Sequence, residues 1–124
     1  MSSNVGHVGL QKWISKMTSA IRASNVEPVE MVPGVWRRTL AWGERVMAVQ
    51  TTLEEGAVVP AHSHPHEQIT YVVEGELSME AEGQSHVLRA GDSLLFPPNV
   101  EHGGTALKRT LVLDIFSPPR EDYK

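Results

Sequence analysis

The chain predicts an all-β sandwich or barrel, and three observations carry that expectation. Short alternating apolar runs recur near 35–40, 45–53, 69–74, 76–81, 85–88, 93–96 and 109–116. Gly, Pro and acidic turn residues punctuate them, as in domains built from many short strands. The length of 124 residues suits one domain with a real core and leaves no room for a second.

Taken in order, residues 8–24 carry Leu10, Trp13, Ile14, Met17 and Ile21 at helical spacing, with Lys12, Lys16 and Arg22 on other faces. This pattern predicts a short amphipathic helix docked on the barrel or on a partner subunit. Asn25–Gly34, punctuated by prolines, reads as an extended connector. The expected organisation is therefore residues 1–34 as helix and connector and residues 35–124 as barrel with a C-terminal extension. Within the barrel, QITYVVEGELSMEAEG predicts a hairpin turning at Glu74-Gly75. In the last strand Leu111, Leu113 and Ile115 face one way, while Val112, Asp114 and Phe116 face the other.

Composition narrows the function. A net charge of −4 and the lack of a basic stripe argue against nucleic acid and acidic membranes as partners. Without cysteine there is neither a disulfide framework nor a thiolate zinc site. No apolar run approaches a membrane span, and the N-terminus lacks a secretory pattern, so the expectation is a cytoplasmic protein.

The most informative stretch is GAVVPAHSHPHEQITYVVEG, from Gly56 to Gly75. On an extended strand His62 and His64 project to one side, roughly 6 to 7 Å apart, which lets both imidazoles reach one ion. His66 shares their parity, so periodicity alone does not choose two histidines from three. An even offset from His64 prefers Gln68 as the next donor, while a kink at Pro65 would favour Glu67. A second block, Gly91 to His102, adds His102 after a Pro-Pro-Asn turn. Imidazole with an oxygen donor suits several divalent transition metals and does not select among Ni, Zn, Mn and Fe.

These two blocks resemble the cupin superfamily, whose first motif is G-x5-H-x-H-x3,4-E-x6-G and whose second is G-x5-P-x-G-x2-H-x3-N. Gly56, His62, His64, Gln68 and Gly75 keep every spacing of the first. Gly91, Pro97 and His102 fit the second, while Asn99 and Ala106 depart from its glycine and asparagine. Asn tolerates the turn conformation a glycine would supply. The resemblance, over residues 35 to 116, implies a double-stranded β-helix (jelly roll) and one divalent metal ion on His62, His64, Gln68 and His102. With a neutral amide as fourth ligand, the ion's charge is left free to attract an anionic substrate.

The C-terminal LVLDIFSPPREDYK narrows the match to the small single-domain cupins of pectin and alginate breakdown, which convert 4,5-unsaturated monouronates to linear keto-uronates. By that resemblance Asp114 is the proton-transfer residue, Arg120 the carboxylate grip and Phe116 an apolar wall beneath it. From the strand pattern alone, Asp114 either lines a polar cavity or ion-pairs with Arg109 or Arg45. Arg120 alone reads as a solvated tail charge, although Pro118 and Pro119 stiffen its approach. Gln50, Arg45 and Tyr71 are candidates to hold substrate hydroxyls. Two other classes use the same ligands: an iron-dependent cupin dioxygenase and a non-catalytic sugar- or metabolite-binding cupin. Exposed apolar strands and the N-terminal helix also predict a homodimer.

Overall fold

A computed structural model describes residues 18–124 of the chain. Ten strands follow a single 3-10 turn at Ala23–Asn25: β1 (Val29–Val32), β2 (Val35–Trp42), β3 (Met47–Leu53), β4 (Val58–His62), β5 (Glu67–Glu74), β6 (Glu76–Ala81), β7 (Gln84–Arg89), β8 (Ser93–Phe96), β9 (His102–Ala106) and β10 (Thr110–Ser117). A second 3-10 turn, Glu121–Tyr123, ends the chain. The strands form two antiparallel sheets, ordered β1-β2-β3-β10-β5-β8 and β4-β9-β6-β7. The expected all-β jelly roll is what the chain forms.

Most of the expected N-terminal helix lies outside the described residues. Its last part, residues 18–24, lies within them and forms no α-helix, only irregular chain leading into the 3-10 turn. With three β-branched or short polar residues among Thr18, Ser19 and Ser24, this end has little helix propensity to sustain a turn without packing. The connector is extended as expected, and its Val29–Val32 segment also pairs with β2, so it belongs to the larger sheet.

Alternation decides what each strand buries. β5 reads exposed, buried, exposed from Glu67 onward, turning Gln68, Thr70 and Val72 inward and Ile69, Tyr71 and Val73 outward. Between the sheets, Val35, Leu53, Val72, Leu77, Met79, Leu88, Phe96, Ala106 and Val112 form the main core. A smaller cluster of Met47, Val49 and Phe116 packs with Tyr123 from the tail. Each such side chain contributes roughly 1.5 to 3 kcal/mol on full burial. The hairpin turns at Gly75, whose φ of +99° suits glycine. A Cβ there would also run into the backbone oxygen of Arg109.

Candidate metal centre

His62 ends β4 and His102 begins β9, and the two are direct register partners in the smaller sheet. Their rings stand 4.5 Å apart. The chain leaves β4 immediately after His62, so His64 sits in the loop before β5 rather than further along the same strand. This corrects the expectation that one strand presents both histidines. The backbone oxygen of His64 accepts from the Asn99 amide at 2.8 Å, which ties its loop to the turn of the second block. Asn99 itself adopts φ +66°, the left-handed conformation expected of it in place of glycine. Gln68 enters from the opposite sheet, on β5.

The ligating atoms of His62, His64 and His102 lie within 4.8 Å of one another, a grouping with the donors to hold a metal ion. Nδ1 of His62 donates to the Pro60 oxygen at 2.9 Å, and Nδ1 of His102 to the Val100 oxygen at 2.9 Å. Backbone acceptors behind Nδ1 leave Nε2 as the unprotonated atom facing inward. Nε2 of His102 is buried and has no hydrogen-bond partner. Phe96 stacks on the same ring at 4.2 Å and fixes its plane.

His64 makes the stronger case. Its Nδ1 faces the His66 oxygen at 3.0 Å and its Nε2 faces Oε1 of Gln68 at 2.9 Å. A neutral imidazole has one N–H, so one of those contacts sets lone pair against lone pair. The amide orientation is fixed independently, because Nε2 of Gln68 donates to Thr70 Oγ1 at 2.9 Å and to Asp114 Oδ1 at 3.3 Å. Either a second proton or a cation relieves the pair. Burial holds the His64 pKa below its ordinary value, with the neighbouring His62 and Arg120 adding to that effect against the Gln68 contact. His102 is held down to about 4, again chiefly by burial. The proton is thus disfavoured, and a divalent ion on the three Nε2 atoms and the Gln68 oxygen fits the donor set.

Other predicted residues fall around this cluster. His66 contributes its backbone oxygen but no ring atom to the grouping, and Glu67 points outward. Asp114 faces inward on β10 beside Gln68, Thr70 and Thr51. Thr70 donates to its Oδ1 at 2.7 Å and Thr51 to its Oδ2 at 3.0 Å, so it pairs with neither Arg109 nor Arg45. Burial raises its pKa, an effect that the hydrogen bonds from Thr70, Thr51 and Gln68 and the charge of Arg120 partly offset. Phe116 packs edge-on against His64 at 5.6 Å.

Arg120 is drawn in rather than solvated: only 12% of its side chain is exposed. Its guanidinium lies 5.2 Å from the Phe116 ring centre and 3.8 Å from that of Tyr123, and it pairs with Asp122 at 2.9 Å. His62, Gln68, His102, Asp114, Phe116, Arg120 and Tyr123 all line one cavity of about 80 Å³ between the sheets.

The three expected hydroxyl holders do not reach it. Tyr71 faces outward and is 42% exposed, Gln50 points away from the face of Thr51, and Arg45 lies in the β2–β3 loop. Thr51, Thr70 and Tyr123 were missed, although strand parity puts both threonines on the core face. A larger groove of about 470 Å³ runs along β4, β9 and the β6–β7 hairpin. It carries Glu80, Glu82 and Glu101 and no ligand group beyond His102, so it repels anions and lacks the site's chemistry.

A histidine triad with an amide donor, set between the two sheets of a jelly roll, defines a class, and the chain belongs to the cupin family: the cupin domain model matches residues 49–116. Within that class it is similar to the pectin degradation protein KdgF of Dickeya dadantii (strain 3937), with 32% identity over 96 residues, covering 76% of this chain and 87% of the relative. Among solved structures, KdgF from Halomonas sp. is 35% identical and superposes with a TM-score of 0.83, covering 87% of this chain and 100% of that one. An RmlC-like cupin from Shewanella frigidimarina NCIMB 400 is also 35% identical, with a TM-score of 0.81, covering 87% and 97%.

Proposed function

We propose that this cupin is a metal-dependent ring-opening isomerase that converts 4,5-unsaturated monouronates from pectin or alginate breakdown to linear keto-uronates. The observation that carries the reading is the cavity shared by His62 and His102 of the histidine cluster with Gln68, Asp114 and Arg120, which would join a cation site, a proton carrier and an anion grip. Similarity to proteins named for pectin degradation supports the substrate class.

His62, His64, His102 and Gln68 would hold the ion, and a divalent ion so bound supplies Lewis acidity toward substrate oxygens. Arg120, whose Nε and one Nη already meet Asp122, receives the uronate carboxylate through its remaining Nη–H groups. Phe116 and Tyr123 wall the cavity and keep water from the reacting ring. Asp114 takes the proton from the anomeric hydroxyl as that carbon becomes an aldehyde and its bond to the ring oxygen breaks. The electron pair of that bond goes to the ring oxygen, which becomes an enolate at the unsaturated carbon. Asp114 then returns the same proton to the neighbouring carbon as the enolate collapses to a ketone, so no atoms are gained or lost.

The outward face of the larger sheet exposes Ile69, Tyr71, Val73 and Leu95, which supports a homodimer through that face. The reading is tested by incubating metal-analysed protein with unsaturated galacturonate or mannuronate and following loss of the conjugated double bond by absorbance. Acceleration over the spontaneous reaction is expected, and none with any of Ni, Zn, Mn or Fe would overturn it.

A further inference from the structure

Arg120 follows the end of β10 and two prolines, in a tail that no sheet holds. A long side chain in such a place has many rotamers, so meeting a ligand with defined geometry requires that its guanidinium be aimed. Ring contacts do part of this. The guanidinium carbon lies 3.8 Å from the centre of the Tyr123 ring and 5.2 Å from that of Phe116. Attraction to a ring face places the charge but says little about which way the N–H edges turn.

Asp122 removes that freedom. Its Oδ1 accepts from Nε at 3.3 Å and its Oδ2 from one Nη at 2.9 Å, so two bonds hold one edge of the planar group. A guanidinium has five N–H groups, and this pairing takes two of them. The rest include one on each Nη at the tip, which run parallel and match a second carboxylate.

Asp122 is itself placed by its turn, Glu121–Tyr123. The Tyr123 oxygen accepts from Thr39 Oγ1 at 2.6 Å, and its ring packs with Met47, Val49 and Phe116, which ties the turn to the barrel. The Asp122 side chain is 61% exposed against 12% for Arg120, and of the two only Arg120 lines the cavity. The carboxylate therefore holds the guanidinium from the solvent side. An exposed pair adds little to folding stability, so orientation is where its effect belongs.

We infer that Asp122 is a positioning residue for the anion grip: it fixes one edge of the Arg120 guanidinium and keeps the free tip aligned for a carboxylate in the cavity. The inference deepens the proposed function and rests on it for Arg120 as the group that receives the carboxylate.

The test is calorimetric titration of metal-loaded protein with saturated galacturonate, which lacks the double bond, and with neutral galactose. Wild type binds galacturonate the more tightly. Asp122→Asn keeps the shape and loses the charged fork, so it weakens galacturonate about fivefold, the upper range for an exposed pair, and leaves galactose unchanged. In an Arg120→Gln background the same substitution has no further effect, because its action runs through Arg120. With unsaturated uronate, Asp122→Asn raises KM about fivefold with a smaller change in kcat.

Equal weakening of both sugars marks a brace for the tail and overturns the inference. So does Asp122→Asn binding galacturonate like wild type, or more tightly, which marks a competitor for Arg120. A full effect of Asp122→Asn in the Arg120→Gln background overturns it as well. Wild-type-like binding of galacturonate by Arg120→Gln sinks the anion grip of the proposed function, and the inference with it. If no uronate is turned over but the preference for galacturonate falls in Asp122→Asn only when Arg120 is present, the isomerase reading fails and the role of Asp122 stands.

Discussion

Gln68 stands where the cupin motif has a glutamate, and its surroundings give a reason. Its amide nitrogen lies 3.3 Å from Asp114 Oδ1, so a glutamate here would set two carboxylates against each other. The amide instead donates to Asp114 and turns its oxygen to the histidines. Gln68→Glu is expected to bind the metal more tightly while losing turnover, with the acidic limb of its pH profile moved upward; metal titration and a kcat/KM profile check both. Asp114→Asn should keep the ion, by metal analysis, and lose roughly 100-fold to 10,000-fold in kcat, the range of a general acid–base group.

Because burial raises the Asp114 pKa, its base form is lost as pH falls through a value above the ordinary carboxylate range. Wild-type kcat/KM should therefore decline below a limb lying higher than about 3.9, and the limb should vanish in the residual activity of Asp114→Asn. At this scale, spacing pointed to Gln68, but by a route the fold does not use. Parity assumed one strand from His62 to Gln68, whereas the chain crosses from one sheet to the other around His64. Thr51 and Thr70 looked like ordinary strand residues, because a hydroxyl's partner depends on contacts across strands that a sequence does not display.

Among elements, β9 was the hardest to read, since HGGTA has neither alternation nor strand propensity. Its glycines are needed for closeness. A Cβ on Gly103 would stand 2.8 Å from the Val59 oxygen, and one on Gly104 would strike the Ser78 oxygen. Strand β4 was also missed, its VVPAH interrupted by Pro60, which the sheet accommodates because β4 is an edge. Gly103→Ala should force β4 and β9 apart and shift the paired His62 and His102. A loss of about 2 kcal/mol or more in chemical denaturation, together with weakened metal binding, is the expected outcome. Long alternating strands such as β5, β6 and β10 were legible because each has one face in the core.

At the scale of the molecule, the candidate centre joins both sheets: His62 and His102 belong to the smaller and Gln68 to the larger. An ion held there binds the folded chain and not the unfolded one. At a free concentration about 100-fold above Kd it adds about 2.7 kcal/mol, so chelation should lower Tm by several degrees and metal should restore it in calorimetry. Fold class and the histidines were legible because they rest on local pattern and spacing. The tail was not: Tyr123 reaches the cavity only because the chain after β10 turns back over Phe116. Among the described residues no helix is long and apolar enough to cross a membrane.

In the proposed reaction the histidine cluster, Asp114 and Arg120 act together on an unsaturated uronate. Their joint action is tested most directly by following 4,5-unsaturated galacturonate by proton NMR with equal amounts of metal-matched wild type and Asp114→Asn. Rapid loss of the C4 vinyl proton and growth of the linear keto-uronate are expected with wild type, and near-spontaneous rates with the variant. Equal rates for the two proteins, or no acceleration by either, would contradict it.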